Sequence, residues 1–256
     1  MLRKAIIVMK KDLKEIKTSF QIIGAMIALP AIFVGIALIT FGFIFAYVPN
    51  INDLYSILYG DYDFIAMYNV MFLMIPIIIP TYIAADSFVG EKIRKTIEAL
   101  LIAPISDMEL LLGKILVSLV PTLLITYAFT GIYILGVYIL QWIFYSSIVF
   151  SFPDLGFVFG ILLHSALFCI LTIEIMVVIS LKVKGIREAQ QIGGILVIPI
   201  MALMFLPLLG LNIYNFSYMP NIILFTLFTV IFIGIDLLMY FLMVKIFQRS
   251  NIITKI

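Results

Sequence analysis

The sequence predicts an all-α integral membrane protein. Six transmembrane helices leave both termini in the cytoplasm, an amphipathic interfacial helix precedes the first span, and a short amphipathic helix lies on the cytoplasmic side between the second and third. Three observations predict this. The 256 residues are 64% hydrophobic and 12% charged, with a mean hydropathy of +1.25, whereas a soluble domain is about half apolar and a quarter charged. Apolar runs long enough to cross a bilayer recur six times, each near the ~20 residues that ~30 Å of hydrocarbon requires. Finally, the basic residues fall only on alternate connections.

Residues 1–20 form the interfacial element and 21–256 the six-span domain. Near the start, Ile6, Met9, Leu13, Ile16 and Phe20 recur at helical spacing, with Lys10, Lys11, Lys14 and Lys17 on the other surface. Such a helix lies in the headgroup layer with its lysines near anionic lipid. The plainer alternative is the positive flank of the first span. Charges scattered through this stretch do not form the basic start and purely apolar core of a cleaved signal, so the expectation is that it is retained.

The spans run over residues 21–48, 64–86, 110–140, 156–181, 190–210 and 222–245. The first and third are long enough to tilt. Pro76, Pro80 and Pro121 predict kinks. The fifth is interrupted by Pro199 and Pro207, which leaves room for a broken or partly re-entrant segment around 203–220.

Orientation follows from the basic residues. Arg3, Lys4, Lys10, Lys11, Lys14 and Lys17 precede the first span; Lys92, Arg94, Lys95 and Lys114 flank the second connection; Lys182, Lys184 and Arg187 fill the fourth; Lys245, Arg249 and Lys255 end the chain. Those account for all 16 Lys and Arg, and the odd-numbered connections hold Asp53, Asp61, Asp63 and Asp154 instead. The positive-inside rule then places the basic connections and both termini in the cytoplasm, with the plasma membrane as the expected location.

The stretch GEKIRKTIEALLIAPISDMELLLGK, residues 90–114, is the most charged part between the spans. On a helix Ile93, Ile97, Leu100, Leu101 and Pro104 share one face, and Glu91, Lys92, Arg94, Lys95 and Glu98 cover the rest. Pro104 cannot continue that helix and holds Ala103 extended. Ser106 and Glu109 then supply a capping box that starts the third span afresh. A solvated charged linker is the plain reading. An apolar row resting on the membrane, beneath a mixed-charge surface, instead suits the docking of a soluble partner.

The run DSFVGEKIRKTIEALLIAPIS from Asp86, followed by LGKIL from Leu112, resembles the cytoplasmic signature of type-2 ABC transporter permeases. Asp86, Glu91, Thr96, Glu98, Leu100, Leu101, Pro104, Ser106, Gly113 and Lys114 fall at that family's positions. Ile93 and Lys95 depart from it, standing where the family often has Glu and Gly. The resemblance implies a coupling helix at about 90–104 that presses into a groove on an ATP-binding subunit, with Glu91, Lys92, Arg94, Lys95, Thr96, Glu98, Pro104 and Ser106 at the contact. It also implies an exporter built from two ATP-binding subunits and two permease subunits, most simply two copies of this chain. ATP and Mg would be held by the ATPase partner and no cofactor by this chain, which has no G-x-x-x-x-G-K-[ST] phosphate loop of its own.

Glu174 and Asp236 are the two acidic residues well inside spans. A charge at mid-bilayer costs about 2.5–3.5 kcal/mol on insertion scales, so such residues face the bundle interior or a wet cavity. They could line a translocation pathway or bind a cation; alternatively each is protonated and bonded to a neighbouring helix. A standalone carrier or channel working through these two residues is the competing function. His164 and Cys169 read as packing residues. A single Cys and a single His exclude an internal disulfide and a Cys/His zinc cluster. No Ser/His or paired-carboxylate set for intramembrane catalysis can be assembled, and nothing points to nucleic acid.

Overall fold

A computed structural model describes residues 2–59, 64–94, 106–150, 155–204 and 219–246. Every regular element among the described residues is helical. Helix α1 spans Leu2–Ile16, α2 Phe20–Tyr47, α3 Ile51–Tyr59 and α4 Phe64–Ala85. Without a break, α4 passes through a π-helical turn, Asp86–Gly90, into the short α5, Glu91–Ile93. Next come α6, Asp107–Tyr145, and α7, Leu155–Phe159, which enters a second π turn, Gly160–His164, and continues as α8, Ser165–Ser180. Helices α9, Ile186–Met204, and α10, Met219–Ile246, complete the chain.

Five helical stretches among the described residues are long and apolar enough to cross a membrane: Ile22–Tyr47, Met71–Ile93, Asp107–Tyr145, Gly156–Ser180 and Ile222–Ile246. These coincide with five of the six expected spans. The expected span at 190–210 is helical over Ile186–Met204, and the rest of it lies outside the described residues. The expected re-entrant element lies mostly at residues 205–218, outside the described residues.

One end of the bundle gathers α1, the end of α4, the start of α6, the end of α8 with the start of α9, and the end of α10. The lysines and arginines of the described residues lie on these segments and make this the basic end. At the opposite end, Gln141 Oε1 accepts from the backbone N–H groups of Val149 (2.9 Å) and Phe150 (3.1 Å), and the Tyr145 hydroxyl donates to the Val48 carbonyl (2.5 Å).

Between them the core is largely aromatic. Phe72 stacks on Tyr133 at 4.6 Å between ring centres, with Phe41 and Tyr68 tilted against the same cluster. A second group joins Phe168, Phe228 and Phe232, where His164 Nε2 sits 3.0 Å from the Thr229 hydroxyl. His164 and the buried Cys169 are thus enclosed packing residues, and the described residues hold no group of three potential metal ligands.

Helix α1 presents the expected face only in part. Of the expected stripe Ile16 is buried and Met9 and Leu13 are partly buried against the core, whereas Ile6 is 38% exposed and Phe20, at the start of α2, is 91% exposed; Ala5, Val8 and Asp12 are buried beside them. The buried stripe is rotated from the apolar stripe because α1 packs along the start of α6, and that contact takes in a carboxylate. Gly113 permits the crossing: a Cβ there would lie 2.8 Å from both the Ala5 carbonyl oxygen and Val8 Cβ.

Candidate functional site

The polar centre at the basic end is built from three helices. Helix α1 contributes Lys11, Asp12 and Glu15. The π turn and α5 contribute Asp86, Ser87 and Glu91, followed by Arg94, and α6 contributes Lys114. Lys114 is 1% exposed, Glu91 1% and Asp12 3%, so a cation and two carboxylates are enclosed together. Lys114 Nζ lies 2.5 Å from Glu91 Oε2 and 3.7 Å from Asp12 Oδ2. It also donates to the Ser87 carbonyl oxygen and sits 5.0 Å over the Phe88 ring. Lys11 Nζ reaches the other Glu91 oxygen at 2.6 Å, and the Ser87 hydroxyl donates to Asp12 Oδ2 at 2.9 Å.

Buried charge is tolerated only when paired and hydrogen-bonded, and each of these three groups has at least two partners. Burial pushes the Asp12 carboxyl above the ordinary aspartate range despite the opposing pull of Lys114, Ser87 and Lys11. Burial also works against the charge on Lys11. The Glu91 hydrogen bond and the neighbouring carboxylates outweigh it, and the ammonium is held above its usual value.

The local sequence accounts for this placement. A π turn adds one residue to a helical turn and re-phases the residues after it by about 100°. Ser87 and Glu91 therefore point between α1 and α6, and Asp86 turns to the outer side. There Arg94 Nη1 bonds Asp86 Oδ1 at 3.3 Å and Arg94 Nη2 lies 3.5 Å from Glu15 Oε2. Gly90 is the gap through which Arg94 passes, since a Cβ there would stand 2.9 Å from both Arg94 Nη2 and Asp86 Oδ1.

The structure corrects one expectation. Helical spacing puts Glu91 on a mixed-charge surface facing the cytosol, and it is instead buried, with Lys11 and Lys114 converging on its carboxylate. Ile93, expected on the apolar row that rests on the membrane, is 50% exposed. Lys92 is half-buried and Arg94 exposed. Lys95, Thr96, Glu98 and Pro104, with most of the expected coupling helix, lie outside the described residues. Ser106 is a helix cap: its hydroxyl accepts from the Glu109 N–H at 3.2 Å while Glu109 Oε2 accepts from the Ser106 N–H at 3.0 Å.

Sequence reasoning does not single out Lys11, Asp12, Ser87 or Lys114 as site residues. Two signals are present nonetheless. Asp12 stands at i+4 from Val8 and at i−4 from Ile16, an acid on an apolar stripe, and Lys114 lies four residues inside the apolar run that opens the third span.

The described residues thus hold five apolar helices long enough to cross a membrane and a charged cluster that fastens the N-terminal helix to the second connection. The family model described as "ABC-2 family transporter protein" matches residues 6–253. The chain belongs to the ABC-2 transporter family. It is accordingly a multi-pass membrane permease of an ABC transporter, the subunit that in this family is normally non-catalytic and associates with an ATP-binding subunit. Membership sets aside the standalone carrier or channel. A search of curated proteins finds no match to this permease.

The other candidate residues, Glu174 on α8 and Asp236 on α10, are 2% and 8% exposed. They stand on two helices that pack on each other, eight residues before Lys182 and nine before Lys245.

Proposed function

We propose that this permease is the membrane half of an exporter, in which closure of two ATP-binding subunits pushes on the connection between α5 and α6 and so reorients the spans. The observation that carries this reading is the enclosed Lys11–Glu91–Lys114–Asp12 cluster. It joins α1, the end of α4 and the start of α6 at the two points where the connection enters the bundle. A push on residues 94–106 is then delivered to three helices together rather than absorbed by a loose loop. Lys92 and Arg94 are accessible beside that connection and, with Lys95, Thr96, Glu98 and Pro104, supply the contact with the motor. ATP and Mg belong to the motor subunits.

The basic end faces the cytoplasm in this reading, with both termini, by the positive-inside rule. The helix at Ile186–Met204 belongs to a sixth crossing, which an even span count requires for termini on one side. A second copy of the chain completes the permease pair in the plasma membrane, with the exposed Lys10 and Lys14 of α1 and the adjoining Lys17 toward lipid headgroups.

The test is charge reversal at Arg94 and Lys95 in the permease purified with its native ATP-binding subunit. ATP hydrolysis is expected to persist while transport is lost. Transport that remains proportional to hydrolysis would remove Arg94 and Lys95 from the coupling contact.

A further inference from the structure

Glu174 and Asp236 form a second polar site within the spans. Helix α10 packs on α8, and both carboxyls are more than nine-tenths buried. Glu174 Oε2, Asp236 Oδ1 and Asp236 Oδ2 have no hydrogen-bond partner among the described residues. A buried polar atom without a partner is costly, and a buried carboxylate more so. Protonation would remove the charge but leave carboxyl oxygens without partners, whereas a guest carrying a positively charged N–H donor would answer both.

The donor set narrows which guest. Calcium takes six to eight oxygen ligands and magnesium a near-ideal octahedron, more than two carboxyl groups supply, and among the described residues no third His, Cys, Asp or Glu stands with them. A primary ammonium carries three N–H donors and no acceptor, and three carboxyl oxygens here lack a donor. The surroundings suit the rest of such a molecule. Phe232 and Met243 on α10 and Ile173, Met176 and Val177 on α8 are buried apolar neighbours along the two helices. The carboxyls lie eight residues before Lys182 and nine before Lys245, about 12–14 Å along the helices from the basic end.

We propose that Glu174 and Asp236 bind the primary ammonium group of an amphipathic molecule whose alkyl part lies among the apolar side chains of α8 and α10. That this molecule is the transported substrate rests on the permease reading. Its binding does not, and binding is measured without ATP or any ATP-binding subunit so that the two can fail separately.

The experiment uses the full chain in phosphatidylcholine nanodiscs with decylamine as the probe. Thermal unfolding is followed against decylamine concentration, together with labelling of Glu174 and Asp236 by dicyclohexylcarbodiimide, read by mass spectrometry. Decylamine is expected to raise the unfolding midpoint saturably and to protect both carboxyls by at least about fivefold. Decyltrimethylammonium, which has the same chain and charge but no N–H donor, is expected to do neither. Glu174→Gln should remove most of the decylamine shift. Should that variant not fold, protection in the unaltered chain decides the matter.

A second arm replaces part of the phosphatidylcholine by phosphatidylethanolamine. Protection there assigns the ammonium to a lipid headgroup, and protection by decylamine alone assigns it to a free amine. Equal effects of the two ammonium compounds, an undiminished shift in Glu174→Gln, or carboxyls that do not label in the absence of amine would each overturn the proposal.

Discussion

Replacing Lys114 with methionine preserves most of the side chain's length and bulk and deletes its charge. In the intact protein that ammonium serves Glu91 at 2.5 Å, Asp12 at 3.7 Å and the Ser87 carbonyl, with side-chain exposures of 1–4% for the three charged partners. After the change, two enclosed carboxylates share one remaining cation, Lys11, whose side chain is 39% exposed. Removing one partner from a buried ion pair costs about 3–5 kcal/mol, because the other charge stays buried and uncompensated. At about 1.4 kcal/mol per factor of ten, that is two to three and a half orders of magnitude in the unfolding equilibrium. Lys11→Met removes a more exposed partner and should cost about 0–1 kcal/mol. Unfolding by detergent titration in bicelles or nanodiscs measures both. The double variant Glu91→Gln/Lys114→Met should recover at least about 1 kcal/mol relative to Lys114→Met alone, since neighbouring changes in one network couple. A Lys114→Met protein within about 1 kcal/mol of the unaltered chain would refute the reasoning, because the cluster would then not depend on its central cation.

Gly113→Ala should push α1 off α6, at a cost of about 1–3 kcal/mol for overpacking, because one of the two atoms in the way is the Ala5 backbone oxygen. Faster amide exchange throughout α1 would report it. Ser106→Ala removes the acceptor for the Glu109 N–H and should lower stability by about 1 kcal/mol, with the increased exchange confined to the first turn of α6. Arg94→Ala breaks pairs that are 42% exposed on the arginine side and should change stability by less than about 1 kcal/mol. Unfolding measurements on this variant would show whether any loss of transport at Arg94 reflects contact rather than instability.

Much of the architecture is legible in the sequence because membrane crossing imposes a long apolar run on each span. Five such runs reappear as helices within a few residues of their expected limits. The sixth run is helical over Ile186–Met204, and its remainder lies outside the described residues. The capping box at Ser106 is legible because it is local: its donor and acceptor are three residues apart. The enclosed cluster is not, for two physical reasons. Lys11, Glu91 and Lys114 are brought together from three helices, and pairings at separations of 80 and 23 residues leave no periodic trace. The π turn at Asp86–Gly90 also changes the helical phase between α4 and Glu91, so a face drawn across it by 3.6-residue spacing is displaced by one position. The apolar stripe of α1 misleads for a related reason: Asp12 is counted as polar by composition but is buried by its partners.

Cross-linking from position 92 reports whether the connection after α5 meets the ATP-binding subunit. Cys169 is fully buried, so Lys92→Cys introduces one accessible thiol beside the connection that is proposed to meet the motor. With a short bifunctional maleimide in native membranes, the account predicts an adduct between this thiol and an ATP-binding subunit, with a yield that changes when nucleotide is added. No adduct with any ATP-binding protein, or an equal yield from Ser147→Cys at the opposite end of the bundle, would contradict it.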